Sequence, residues 1–255
     1  MTAKTTRKKL DNRKRKILNS VVNDYIHTAE PVSSEKIAKK YIREVSPATI
    51  RNEMASLEDD GLLKHPHTSS GRIPSDAGYR YFVDQLMKLK ELSDKEMAFI
   101  RSEFNRSEKN IEELLHTTLR VTATLSHLLA VITAPKHPFR VLSSGLSNIA
   151  EQPEFKDTEH IKNIISVVEH EDLIANMLSQ DENSDDLSIR IGSEIKHSKI
   201  KDCSVVMSKY DMFGQSVGTI SIIGPTRMAY SKVTSIIDVV SRTLREILGE
   251  QGGRR

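Results

Sequence analysis

A helix with clear ends in the N-terminal third of the chain is the feature that most constrains the fold. Ser46-Pro47 is typical of a helix start, because serine caps the first turn and proline fits the first helical position. Gly61 follows where a left-handed residue would end the helix. The pattern predicts a helix from Pro47 to about Asp60. Its inward residues recur at i, i+4 and i+7: Ile50, Met54 and Leu57.

The outer face of the same helix is left with small and hydrogen-bonding side chains: Ala48, Thr49, Arg51, Asn52 and Ser56. Arginine can pair bidentately with guanine and asparagine with adenine, and the methyl groups of alanine or threonine can contact thymine. A helix that carries such residues near its start can read a DNA major groove. An ordinary solvent-exposed helical face has the same composition, so this pattern alone leaves both interpretations open.

Two helices are predicted ahead of this one. Apolar residues at helical spacing over 17–26 indicate the first, with Asp11 or Asn12 as its cap. Either Ser33 or Ser34 would cap a short second helix. Its expected inward residues are Ile37, Ala38 and Tyr41.

A wing is predicted after the third helix. Residues 62–65 are typical of a short strand, residues 66–72 of a turn-rich loop, and Ile73 would begin a returning strand. The loop offers side chains that could contact phosphate or the minor groove: His67, Thr68, Ser69, Ser70 and Arg72. A helix from Ser75-Asp76 completes a winged helix-turn-helix. His65 and His67 have no third ligand nearby, so a zinc site is not expected.

The charge of the chain is unevenly distributed. Residues 1–90 carry 18 Lys/Arg against 11 Asp/Glu, whereas the remainder carries 20 against 24. The first 16 residues hold eight Lys/Arg and a single acid, Asp11. This asymmetry favours a polyanion-binding head on a different kind of body, although a solvated tail would have the same composition.

A helical segment is predicted over residues 91–135. Ser93 with Glu96 forms a capping-box pattern, and Asn105 with Glu108 could start a second helix. The apolar seam that follows has coiled-coil spacing: Ile111, Leu115, Thr118, Thr122, Leu125, Leu129 and Ile132. Such a seam fits a dimerisation helix and equally a helix packed on its own domain.

The C-terminal part has the pattern of an α+β domain with a small antiparallel sheet. Helical spacing appears over 161–168, 173–178 and 233–247. Strand-like runs cover Leu187–Ile191, Ser204–Met207 and Val217–Ile223, with a turn at Asp211–Gly214. The acidic run at 181–186 lacks the glycine and glutamate of a calcium loop and is expected to be a solvated turn.

Several classes of protein are excluded or disfavoured. No apolar run approaches the ~20 residues that span a bilayer, and no secretory signal is visible, so a cytoplasmic protein without membrane contact is expected. Cys203 is the only cysteine and cannot form an intrachain disulfide or a cysteine-based zinc site. No nucleophile motif or P-loop is present, so we expect no enzyme, no catalytic residues, no metal and no cofactor.

Several motifs of the chain are similar to those of a known family. Residues 46–54 (SPATIRNEM), 66–74 (PHTSSGRIP) and 145–155 (GLSNIAEQPEF) resemble the heat-inducible transcription repressors named HrcA. Further matching segments lie at 25–34, 78–84, 189–192, 202–204 and 223–228. The resemblance covers most of residues 10–135 and 141–249.

The resemblance implies a homodimeric repressor of heat-shock or chaperone operons that binds an inverted-repeat operator called CIRCE. It implies a GroEL-type chaperonin as a partner that keeps the repressor active. By position, the outer residues of the third helix become groove contacts and residues 67–72 the wing. The implied alternative is a chaperone- or ligand-binding module with a vestigial DNA-binding head.

The chain departs from the family in its middle. Members usually continue after residue 135 into the start of a GAF-like domain and an inserted dimerising domain, but here Pro138 is followed almost directly by Val141. The expected organisation is therefore a winged-helix domain with a basic tail over 1–90, a helical linker over 91–135, and an apparently truncated GAF-like α+β domain over 136–255.

Overall fold

The structure, a computed structural model, describes residues 10–66, 71–107, 110–134, 140–170, 187–212 and 215–252. The chain divides into two compact units, Met1–Met87 and Lys88–Arg255. The predicted helix at 173–178 and the acidic turn at 181–186 lie outside the described residues.

The first unit is a winged helix-turn-helix. Its elements are α1 (Asn12–Thr28), α2 (Ser34–Lys40), α3 (Pro47–Asp59), β1 (Leu63–Lys64), β2 (Ile73–Pro74) and α4 (Asp76–Gln85). The predicted helices are confirmed, and their caps are now assigned. The side chain of Asp11 accepts from the backbone N–H of Lys14, and that of Ser33 accepts from Lys36. Gly61 has a φ of 74°, as expected for the residue that follows α3.

Two glycines allow the wing and α4 to approach the rest of the unit. β1 and β2 pair antiparallel, and Val32 joins them through a bridge to Arg72. A β-carbon on Gly71 would lie 2.3 Å from the carbonyl oxygen of Val32. One on Gly78 would lie 2.0 Å from the carbonyl oxygen of Leu62. Both distances are far below a van der Waals contact, so these positions require glycine for steric reasons.

A buried carboxylate joins α1 to α2. The Asp24 side chain is 0% exposed, and its two oxygens lie 2.5 Å from Lys36 Nζ and 3.0 Å from Lys40 Nζ. Tyr41 also donates its hydroxyl to Asp24 at 2.9 Å. Burial alone would raise the pKa of Asp24, but these hydrogen bonds outweigh it and the pKa lies below its ordinary value.

The predicted inward position of Tyr41 is wrong. The sequence predicted an inward Tyr41, yet the residue is exposed and lies beside its own helix with the hydroxyl directed to Asp24. Ile37 is fully buried as predicted, and Ala38 is half-buried.

The second unit is α+β. Its elements are α5 (Asp94–Ser107), α6 (Ile111–Ser126), β3 (Leu129–Ala134), β4 (Arg140–Ser144), α7 (Leu146–Ala150), α8 (Thr158–Glu169), β5 (Leu187–Ile191), β6 (Cys203–Met212), β7 (Gln215–Pro225) and α9 (Tyr230–Gly252). The five strands form one antiparallel sheet in the order β4-β3-β7-β6-β5.

The two faces of this sheet bury different residues. Along β6, Cys203, Val205 and Met207 belong to a hydrophobic cluster that includes residues of α7 and α8. The alternate residues Ser204 and Ser208 bond to side chains of α9, because successive strand residues point to opposite faces. Burial raises the pKa of the Cys203 thiol to about 12, which fits a buried apolar role for this residue.

A fork from one arginine connects the end of β7 to the segment that follows α7. Arg227 Nη2 donates to Glu154 Oε2 at 3.1 Å and to Gln152 Oε1 at 3.0 Å, and its Nε also donates to Glu154. The arginine side chain is 12% exposed. This pairing places two of the family-like motifs, 145–155 and 223–228, in contact.

Two predictions for residues 91–134 are corrected, and one alternative that the sequence left open is decided. Asn105 lies inside α5, and the cap of the next helix is Asn110. The apolar seam is interrupted, because α6 ends at Ser126 and Leu129–Ala134 forms a central strand. Within α6, residues of the seam are buried in their own unit: Leu115, Thr118, Thr122 and Leu125.

These corrections also change the expected organisation. β3 pairs with both β4 and β7, so the described residues of the predicted linker over 91–135 contribute to the second unit. The sheet is continuous across the departure from the family, since Ala134 pairs with Arg140. Asp211 and Met212, the first half of the predicted turn at Asp211–Gly214, belong to β6, and the second half lies outside the described residues.

Candidate nucleic-acid interface

The third helix separates its two faces as the sequence predicts. Ile50, Met54 and Leu57 are almost fully buried, at 0%, 1% and 0% exposure. On the opposite side, residues near the start of the helix remain accessible. Ala48, Arg51 and Asn52 are exposed and Thr49 is half-buried. We call these four residues the reading face.

The cap of α3 fixes the first turn of the reading face. Ser46 Oγ accepts from the backbone N–H of Thr49 at 3.2 Å and lies 2.9 Å from the Thr49 hydroxyl. The Thr49 hydroxyl is therefore engaged within the helix start. Its methyl group is left for an apolar contact of the kind thymine offers.

The charged member of the reading face has a partner in α2. Arg51 Nη2 donates to Glu35 Oε1 at 2.6 Å, and the two side chains are 65% and 58% exposed. Both residues thus form a solvent-exposed pair between the two helices of the helix-turn-helix. A guanidinium has five N–H donors, so this contact leaves further donors on Arg51.

Ser56 occupies a different environment from the other predicted contacts. It is half-buried, and its hydroxyl accepts from Lys14 Nζ at 2.6 Å. Lys14 Nζ also lies 3.6 Å from Asp60 Oδ2. Ser56 therefore joins α3 to the start of α1, and we do not include it in the reading face.

Arg72, another predicted contact, lies at the base of the wing and pairs with a residue of α3. Its side chain is 12% exposed and its Nε donates to Glu58 Oε2 at 2.9 Å. His65 Nδ1 lies 2.6 Å from the other oxygen of Glu58. Burial would raise the pKa of Glu58, but its hydrogen bonds to His65 and Arg72 hold it below the ordinary value. The remaining predicted wing contacts, His67, Thr68, Ser69 and Ser70, lie outside the described residues.

The basic N-terminal stretch is partly helical. Residues 13–16 belong to the first turn of α1, where Arg13 Nη1 lies 3.5 Å from Glu53 Oε1 and Arg15 Nη2 donates to the carbonyl of Gln85 at 3.1 Å. Lys16 Nζ lies 4.0 Å from Glu44 Oε1. The side chains of this turn thus contact α3, the end of α4 and the turn before α3.

Two cations beside the reading face were not singled out from the sequence. Lys39 and Arg43 are exposed and line a shallow depression of about 630 Å³ with Ser46 and Pro47 at the start of α3, and Glu35 and Glu44 also line it. Cations beside a helix N-terminus are suited to phosphate. Their spacing of four residues across the end of α2 was the available signal.

No alternative chemistry is visible in the part of the chain that the structure describes. No cluster of three or more His, Cys, Asp and Glu side chains is arranged there to hold a metal ion. No helix among those residues has the length and apolar character needed to cross a membrane.

Comparison with known families covers both units. Residues 9–88 match the family described as "Winged helix-turn-helix transcription repressor, HrcA DNA-binding", and residues 80–234 match "HrcA protein C terminal domain". The chain belongs to the HrcA family. Named members of this family are heat-inducible transcription repressors.

Individual relatives agree along nearly the whole chain. HrcA of Carboxydothermus hydrogenoformans is 33% identical over 95% of this chain and 99% of its own. HrcA of Pelotomaculum thermopropionicum is 32% identical over 94% and 97%. The latter alignment spans 338 positions, more than the 255 residues of this chain, so that HrcA contains residues that this chain lacks.

A solved structure supports the fold. A crystal structure of a hypothetical protein at 2.2 Å resolution superposes with a TM-score of 0.77 over 95% of this chain and 99% of that one. Their sequence identity is 19%, so this similarity bears on the HrcA fold alone.

Proposed function

We propose that this chain represses transcription of heat-shock or chaperone operons by binding an inverted-repeat, CIRCE-type operator as a homodimer. The observation that carries the proposal is the division of α3, whose buried residues anchor the helix while Ala48, Arg51 and Asn52 remain exposed. Each protomer would place the start of α3 in a major groove, and repression would follow from occupying the promoter.

Dimerisation matters because one short helix reads few base pairs, whereas two copies read both halves of a palindrome. The buried seam of α6 argues against that helix as the dimer contact. The two protomers would therefore pair through another surface. By family resemblance, a GroEL-type chaperonin would be the partner that keeps the repressor active, and the repressor would act in the cytoplasm.

DNA binding and solution mass test this proposal together. The purified chain is titrated with an inverted-repeat duplex and with a duplex of the same length and composition in scrambled order, at fixed salt. We expect tighter binding to the inverted repeat, two protomers per duplex, and protected half-sites a whole number of helical turns apart. Equal binding to both duplexes would contradict the proposal.

A further inference from the structure

Glu35 lies in the first turn of α2, where its carboxylate accepts from Arg51 Nη2 at 2.6 Å. We propose that Glu35 is a positioning residue for base reading, which holds the Arg51 guanidinium by one amino group and leaves its other N–H donors for a base pair. This inference rests on the proposed function, because it concerns how the reading face distinguishes one sequence from another.

The geometry of the guanidinium allows it to bind Glu35 and a base at the same time. Its donors form a rigid planar fork, and two of them are enough for the bidentate contact with O6 and N7 of guanine. An arginine without a second partner loses much rotational freedom when it makes that contact. A contact that already exists in the free protein lowers this entropic cost.

The surroundings of Glu35 favour its charged form. Its pKa lies below the ordinary value, because the carboxylate is hydrogen-bonded to its own backbone N–H and further interacts with Ser33, Arg51 and Ser34. Its position in the first turn of α2 also favours a negative charge. The carboxylate is therefore a charged acceptor for the guanidinium of Arg51, 2.6 Å away.

The charge of Glu35 has a separate effect, on overall affinity. A carboxylate close to the reading face is repelled by phosphates on any duplex, so this repulsion weakens specific and non-specific binding alike. The preference for the operator therefore comes from the positioning of Arg51, which contributes only where the correct base pair is present.

The experiment is a double-mutant cycle on the full chain. Wild type, Glu35→Gln, Arg51→Ala and the double variant are titrated with the operator, with its single-base variants and with the scrambled duplex. We expect Glu35→Gln to lower the operator-to-scrambled ratio about tenfold, within the range of one bidentate base contact. The loss should map to the base pair that Arg51→Ala identifies, and it should disappear in the Arg51→Ala background.

Two further variants separate positioning from charge and from folding. Glu30→Gln removes one negative charge from an exposed position in the turn after α1, and it should change binding to both duplexes by the same factor. Glu35→Asp keeps the charge but shortens the side chain, so it should lower the ratio as well. Circular dichroism shows whether each variant is folded. If Glu35→Gln does not fold, the operator-to-scrambled ratio of Glu35→Asp is the deciding measurement.

The inference is overturned if Glu35→Gln shifts both duplexes equally, as Glu30→Gln does, or if its effect on the ratio persists without Arg51. Either result would limit Glu35 to a structural role in the first turn of α2. The preference of the wild type for the operator, and with it the proposed function, would be unaffected. A wild-type chain without such a preference would overturn the proposed function and this inference together.

Discussion

Gly71 packs directly against the backbone of Val32, and a β-carbon at Gly71 would lie 2.3 Å from the Val32 carbonyl oxygen. The backbones of Val32 and Arg72 also exchange two hydrogen bonds, of 2.9 and 3.0 Å. The wing is thereby tied to the segment between α1 and α2. The return of the wing into β2 thus depends on a position where even one methyl group cannot be added.

Gly71→Ala should destabilise the winged-helix unit, because the Val32 backbone would have to move away. Overpacking of this kind costs about 1–3 kcal/mol or more in the free energy of unfolding. Gly249→Ala is the matched control, since a β-carbon there meets nothing within 4 Å. It lies in α9 and should be neutral or stabilise by about 0.5–1 kcal/mol. Thermal unfolding followed by circular dichroism compares them, and equal melting temperatures would contradict the steric argument.

Arg51→Ala should remove preference for one base pair of the operator. The expected cost is about 1–3 kcal/mol at that position, with little change in binding to unrelated DNA. Because the side chain is 65% exposed, the free energy of unfolding should change little. Binding to a set of single-base operator variants measures this effect. An equal loss on scrambled DNA would show that Arg51 contacts phosphate and not a base.

Lys39→Ala and Arg43→Ala should behave differently from Arg51→Ala. If each cation contacts one phosphate, each variant weakens binding to all duplexes alike and reduces the slope of log K against log salt by about 1. Arg106→Ala is the control, because this exposed arginine lies in α5 of the second unit. Titrations at several salt concentrations give the slopes, and unchanged slopes would exclude both residues from the interface.

The same titrations at several salt concentrations test the basic N-terminal stretch, residues 4–16. Replacing their Lys/Arg should weaken binding to all DNA and flatten the salt dependence. In the helical part of that stretch the side chains contact the winged-helix unit, so a combined variant limited to residues 4–9 separates electrostatics from folding. Salt slopes identical to those of the wild type would remove this stretch from the interface.

Asp24 and its partners Lys36, Lys40 and Tyr41, here called the Asp24 cluster, should make the free energy of unfolding depend on pH in the acidic range. Because the pKa of Asp24 is lower in the folded chain than its ordinary value of 3.8, the unfolded chain binds the proton more tightly. The contribution of Asp24 is therefore complete above that value and is lost as the pH falls through the lower folded pKa. Denaturant unfolding between pH 2 and 6, roughly the range in which carboxylates titrate, measures this dependence.

Asp24→Asn is the variant for that measurement. It should lower the free energy of unfolding at neutral pH by about 1–3 kcal/mol, since the ammonium groups lose a charged acceptor. It should also remove part of the acid dependence. Asp59→Asn changes the same charge on an exposed residue of α3 and should leave both quantities close to wild type. Parallel pH curves for Asp24→Asn and wild type would contradict the role of the cluster.

Arg227→Lys tests the fork that joins two motifs of the second unit. Lysine keeps the charge but cannot donate to Glu154 and Gln152 with the same planar geometry. We expect a loss of about 1–3 kcal/mol in the free energy of unfolding. Arg242→Lys is the control, because its pair with Asp238 is exposed on α9 and contributes little. Similar losses in the two variants would show that the geometry of the fork is unimportant.

Local signals explain why α3 was predictable. Its start is set by Ser46 and Pro47, its end by Gly61, and its inward face by three residues that two turns of the helix bring to one side. Each of these signals lies within a few residues of the feature that it controls. The outward position of Arg51 and Asn52 follows from the same spacing, so the centre of the candidate site could be derived without the structure.

β3 was missed for a physical reason. The run that follows α6 is apolar and stays in phase with the seam, so spacing alone continues the helix. The break occurs at His127, which takes a left-handed φ of 53° that the sequence does not announce. The partners of Arg72 and Tyr41 were missed for another reason. Glu58 and Asp24 are distant in sequence, and only tertiary folding brings them within hydrogen-bonding distance.

The pairing of Ala134 with Arg140 has an evolutionary consequence. The ends of two adjacent antiparallel strands lie about 5 Å apart, so the connection between them can be almost any length without disturbing the sheet. A whole folded module could be gained or lost at this junction while both neighbours kept their register. Length differences among these repressors would then be concentrated in the connection between β3 and β4. A foreign domain grafted there should leave the remaining architecture intact.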